Sequence, residues 1–94
     1  MKTVYKYKIT LKSQIDGEFG EFKIEMPYGA VVLSVHTQQN DGYIYAEVDN
    51  EQLPEVRKFI SIGTGERGLN DKNLGKFIGT YNTGKFIWHL YELH

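Results

Sequence analysis

Cysteine is absent from this 94-residue chain. Disulfides and thiolate metal sites are therefore excluded, and a small domain without such staples fits a reducing compartment. No apolar run approaches the roughly 20 residues that a membrane-spanning helix needs. The first eight residues, Met1 to Lys8, carry lysines but no continuous apolar stretch, unlike a secretory leader. Charge of one sign is also missing. The formal net charge is −1, whereas a general nucleic-acid binder needs many phosphate-neutralising cations. Catalytic signatures are lacking as well: no G-x-S-x-G and no spaced metal-ligand set is present. These absences give the expectation of a cytoplasmic, non-enzymatic protein with no cofactor, no metal, no membrane contact and no general nucleic-acid binding.

What the chain does have is alternation. Tyr5, Tyr7, Ile9 and Leu11 interleave with Lys6, Lys8, Thr10 and Lys12, and Phe22, Ile24 and Met26 interleave with Glu21, Lys23 and Glu25. Period two means strands with one face in a core and the other in water. Seven strands are expected: Thr3 to Lys12, Glu21 to Met26, Ala30 to Gln38, Tyr43 to Val48, Arg57 to Ile62, Lys76 to Tyr81 and Lys85 to Leu93. Pro27 ends the second strand because it cannot donate to a ladder, and Pro27-Tyr28-Gly29 reads as a tight turn. In the third strand, Val31, Leu33 and Val35 share one side and Val32, Ser34 and His36 the other; bulk on both sides near its start suggests a central strand. Asn40-Asp41-Gly42 signals a hairpin, as does Asn82-Thr83-Gly84. Asn50 to Pro54 allows a polar loop or one helical turn. The fold class is all-β: one small, mainly antiparallel domain spanning 1–94. It forms a curled sheet, a barrel or a sandwich, with at most one short helical turn near 50–56.

Two features suggest sites. Gly63-Thr64-Gly65-Glu66-Arg67-Gly68 spells G-x-G-x-x-G after a strand, but no amphipathic helix follows, so the dinucleotide-binding context fails. A plain connecting loop is the simpler reading. The alternative is a glycine-rich loop in which Gly63, Thr64, Gly65 and Arg67 hold an anionic ligand. The second feature is aromatic. Seven tyrosines are many for one small core, since each buried hydroxyl needs a partner. Some then lie outside, where Tyr and Trp act as interface anchors or stack on bases. Tyr43 and Tyr45 on one strand and Trp88 and Tyr91 on another are the candidate partner-binding residues. His36, His89 and the frayed His94 carry no converging ligand set. Lys2, Lys6, Lys8 and Lys12 read as a solvated face that discourages edge pairing, with binding of phosphates or an acidic partner as the alternative, and Glu21 with Glu25, beside Lys23, as surface charge.

Several stretches together resemble a family of small uncharacterised proteins found mainly in tailed bacteriophages. They are Met1-Lys2-Thr3 with Tyr5-Lys6-Tyr7, Met26-Pro27-Tyr28-Gly29-Ala30 leading into Leu33-Ser34-Val35, Gly63-Thr64-Gly65, Leu74-Gly75-Lys76-Phe77-Ile78-Gly79-Thr80 and Trp88-His89-Leu90-Tyr91-Glu92. The stretch around Asp16 to Gly20 and the loop after Gly65 depart from that pattern. The resemblance implies a phage genome expressed in a bacterial cytoplasm, and it carries no site residues with it.

The leading expectation is a phage accessory protein that binds a host protein, such as one acting in antiviral defence, through an aromatic sheet face. One alternative is a sponge for a small anionic signal such as a cyclic nucleotide. The other is an oligomeric virion or structural component. Self-association is expected too, because a domain of this size gains by covering its edges.

Overall fold

A computed structural model describes residues 1–10, 20–66 and 73–94. It is all-β, with seven strands: β1 (Lys2–Lys8), β2 (Glu21–Pro27), β3 (Val31–Gln38), β4 (Asp41–Asp49), β5 (Pro54–Gly63), β6 (Leu74–Thr83) and β7 (Phe86–Leu93). They form two antiparallel sheets that do not close into a barrel. One has the order β1-β4-β3 and the other β2-β5-β7-β6. Only β3–β4 and β6–β7 are hairpins between neighbours in one sheet. The connections after β1, β2 and β4 carry the chain from one sheet to the other.

The β2–β3 crossing is the tight turn expected at Tyr28-Gly29. The Ala30 amide donates to the Pro27 carbonyl at 3.1 Å, and Gly29 takes φ 79°, a conformation that costs glycine no steric penalty. At the crossing after β4 the chain turns at Asn50–Gln52 and strand begins at Pro54; the described residues contain no helix.

Both sheets contribute to one core. Val32, Val35, Ile44, Ala46 and Val48 come from the three-stranded sheet; Phe22, Met26, Phe59, Tyr81, Trp88 and Leu90 come from the four-stranded one. Phe22 and Phe59 stack with centroids 5.5 Å apart. On the other side of β5, Ile60 and Ile62 are also buried, at 0% and 4% exposure.

Two readings of the sequence change here. The third strand is not central: β4 lies between β1 and β3. Its apolar faces are also reassigned. The register slips between Val32 and Ser34, so Leu33 is an extra residue that reverses the alternation. Val32 and Val35 both point inward, while Val31 and Leu33 are each 52% exposed. A single unpaired residue moves every later side chain to the opposite face.

The β3–β4 turn falls one residue earlier than Asn-Asp-Gly suggests. Gln39 and Asn40 take φ 52° and 68°, and Gln38 pairs with Asp41 across a two-residue loop, as a type I′ turn requires. Gly42 lies inside β4 and serves packing instead. A Cβ there would come within 2.5 Å of the Tyr81 ring. This close approach lets β4 pass over β6. Tyr81 is buried, and its hydroxyl shares a 2.6 Å hydrogen bond with the buried Ser61 hydroxyl.

The sheets are also tied at their margins. The Thr37 hydroxyl contacts the Asn82 carbonyl at 2.9 Å and accepts from the Asn82 amide at 3.0 Å, linking β3 to β6. Arg57 on β5 donates to both carboxylate oxygens of Glu92 and, at 2.9 Å, to the Ala30 carbonyl. Such forked ion pairs fix geometry as well as charge. The Glu92 hydrogen bonds raise the Arg57 pKa above its ordinary value, against the effect of its partial burial.

Candidate functional site: the outer face of the three-stranded sheet

Ladder register determines what this face presents. Across β1, β4 and β3, Val4 lies level with Glu47 and Val31, Lys6 with Tyr45 and Ser34, and Lys8 with Tyr43 and His36. Directly opposed and diagonal residues are close enough to touch. Lys6 Nζ stands 4.8 Å from the centroid of the Tyr43 ring and donates to Gln38 Oε1 at 3.1 Å. The His36 ring meets Tyr45 edge-on at 5.6 Å.

Both tyrosines are half-buried. They are bordered by exposed Val4, Val31 and Leu33. The charges at the margins are matched: Lys2 with Glu47 at 3.9 Å, and Lys8 with Asp41 at 3.6 Å. Among the described residues Lys6 has only neutral partners, so the centre of the face is aromatic and positive.

At the far end of the sheet the N-terminal ammonium lies 3.1 Å from Asp49 and 2.6 Å from Glu51. These hydrogen bonds raise the ammonium pKa. The Asp49 carboxyl is lowered, first by the Glu51 amide and then by the ammonium.

The four aromatic anchors expected from the sequence do not share a surface. Tyr43 and Tyr45 do. Tyr91 projects from the opposite side of the other sheet, where its ring meets Phe77 edge-on at 5.2 Å. Trp88 is corrected to a core residue. It is 8% exposed, and its indole N–H donates to the Thr83 hydroxyl at 2.8 Å. Alternation explains the split, because positions 88 and 91 have opposite parity on one strand.

The glycine loop is described as far as Glu66; Arg67 lies outside the described residues. Gly63 and Thr64 border an open cleft of about 290 Å³ completed by Lys85, Phe86, Ile87 and Trp88. The Gly63 amide is not available to a ligand, since it donates to the loop's own Glu66 carboxylate at 3.0 Å. Gly65, at φ 84°, forms the turn.

Beside the loop, the Thr64 hydroxyl lies 2.8 Å from His89 Nε2 and the Thr80 hydroxyl 3.0 Å from Nδ1. This hydroxyl–imidazole–hydroxyl chain fixes the ring between β5, β7 and β6. It supplies no carboxylate to support a charged imidazole during proton transfer. His36 and His89 lie on different sheets. Among the described residues, no group of three or more His, Cys, Asp or Glu side chains is placed to hold a metal ion.

Sequence reading missed Val31 and Leu33 as surface residues, because the bulge that turns them outward has no turn residue to announce it. It took Lys6 first as solvated charge, with binding of phosphates or an acidic partner as the alternative, and did not place it beside the tyrosines. The signal for Lys6 was present only in the pairing of β1 with β4, which places that lysine next to the tyrosines.

No curated protein and no solved structure matches the chain. A family model described as a domain of unknown function, DUF7352, matches residues 1–94. The chain therefore belongs to the DUF7352 family, all of it lying within that one domain.

Proposed function

We propose that this protein is a non-enzymatic binding module that engages another protein through the outer face of its three-stranded sheet. One observation carries the reading: Tyr43 and Tyr45 stand side by side, half-exposed, within a border of exposed Val4, Val31 and Leu33. Tyrosine is among the residue types enriched at the energetic centre of protein interfaces. Lys6, with no carboxylate beside it among the described residues, calls for a carboxylate on the partner. The resemblance to phage proteins supports a phage accessory role in a bacterial cytoplasm, with a host protein as the target.

The test is paired capture from bacterial lysate, using the parent and Tyr43→Ala/Tyr45→Ala proteins with matched thermal stability. Loss of one specific band from the double variant, and its partial loss with Lys6→Ala, is the expected result. An interface centre of this kind weakens by about 2 kcal/mol or more per anchor, roughly thirtyfold. Equal capture by parent and variant would remove the face from the argument. Light scattering of the parent alone distinguishes a second copy of the chain from a foreign partner.

A further inference from the structure

We propose that the cleft between the Gly63–Thr64 loop and the β6–β7 hairpin binds a small molecule with a single planar ring system bearing one anionic group. The site lies on the four-stranded sheet, so it stands or falls independently of the tyrosine face. Three observations point to this ligand class.

The first is an aromatic wall. Phe86 is 67% exposed and lies 6.2 Å from Trp88, with their ring planes tilted by 37°. Ile87, also in the lining, is 50% exposed. Three large apolar side chains at the mouth of one cleft, two of them well exposed, favour a flat apolar guest over water.

The second is charge. Lys85 lies in the two-residue turn between Thr83 and Phe86 and lines the cleft. It makes no hydrogen bond or ion pair with any described residue. The loop amide that the glycine pattern offered to an anion is taken by Glu66. Because the Glu66 carboxylate makes the loop side of the cleft negative, a negative substituent is met at the hairpin end, by the ammonium of Lys85.

The third is size. At about 290 Å³, the cleft sits at the lower end of the range for small-molecule sites. That is room enough for one ring system with one charged arm.

Two sources share this chemistry, a nucleoside monophosphate and a simple aromatic acid. Trp88 is the chain's only tryptophan, so its emission reports directly on the cleft. The experiment titrates the intact protein with adenosine 5′-monophosphate and, separately, with benzoate. Adenosine, benzamide and inorganic phosphate serve as the counterparts that lack the charge or the ring. The expected result is a saturable change in Trp88 emission with one of the two charged aromatics. It should bind about fivefold more tightly than its neutral counterpart, the scale of one exposed ion pair. Inorganic phosphate should have no effect.

Which of the two saturates identifies the source. Lys85→Gln should abolish the preference for the charged member. Phe86→Ala should weaken both members at least about fivefold, as loss of a stacking surface does. Phe86 is mostly exposed, so this variant should retain the parent's melting temperature. The proposal is overturned if neither charged aromatic gives saturation, if the neutral members bind equally well, or if binding is indifferent to Lys85→Gln.

Discussion

The two sheets are written in the same alternating code, yet they present different outer faces. In the three-stranded sheet the strand at the centre, β4, sends Ile44, Ala46 and Val48 inward, all at most 1% exposed, and Tyr43 and Tyr45 outward. In the four-stranded sheet β5 is buried on both sides over Phe59–Ile62, with Phe59 and Ser61 on one side and Ile60 and Ile62 on the other. A face whose apolar residues are already covered contributes stability. One that leaves tyrosines, valines and a lysine half in water contributes a surface on which something else can settle. The contrast sets a strand sealed on both sides against the tyrosine face proposed above for binding, while Val56, Phe77 and Ile87 stay exposed elsewhere on the four-stranded sheet.

The largest expected effect tests the structural half. Phe59→Ala removes a fully buried ring stacked on Phe22 and should cost about 3–5 kcal/mol, read as a lower urea midpoint. A loss below about 1 kcal/mol would mean that β5 is not the centre of the core.

Next comes the contact between the sheets. Gly42→Ala drives a methyl group into the Tyr81 ring and should cost about 1–3 kcal/mol as an overpacked site. An unchanged midpoint would show that β4 and β6 do not approach so closely in solution.

Ser61→Ala leaves the Tyr81 hydroxyl unpaired in the core, at about 1–2 kcal/mol. The same pair gives a pH dependence. Burial pushes the Tyr81 pKa up to about 12, with the Ser61 hydrogen bond acting in the lowering direction. An unfolded tyrosine titrates near about 10. The folded value is the higher one, so the stabilisation is whole below about pH 10 and is lost as the pH climbs through about 12. Urea midpoints measured across that window should fall more steeply for the parent than for Tyr81→Phe. Equal slopes would place Tyr81 in water.

The smallest effect on stability belongs to the proposed binding face. Tyr45→Ala removes a half-exposed ring and should shift stability by less than about 1 kcal/mol, while abolishing specific capture of the partner. A large loss of stability would reassign Tyr45 to the core and dissolve the contrast between the sheets.

Much of the fold was legible. Seven strands follow from period-two patterning, and the β6–β7 hairpin from its glycine. The β3–β4 hairpin was legible too, but its turn residues are Gln39 and Asn40, and the glycine read as part of the turn is spent on Tyr81. That Tyr43 and Tyr45 share the outer side of one strand was legible because they alternate with apolar neighbours. Trp88 was misread, since aromatic character alone does not say which way a ring points. Its parity matches Leu90, which is fully buried, and that was the usable clue. The cleft was half legible. The glycine loop was noticed, but Lys85 and Phe86 reach it only because β7 pairs with both β5 and β6.

By itself the sequence determined the local conformation, because alternation, turn residues and the absence of helical periodicity act over a few neighbours. Strand order, the Leu33 bulge and the identity of each outer face were decided only when distant segments paired. Register is a relation between two strands, and neither strand's own residues contain it. Which side chains meet a partner and which are sealed inside is therefore a property of the assembled sheets.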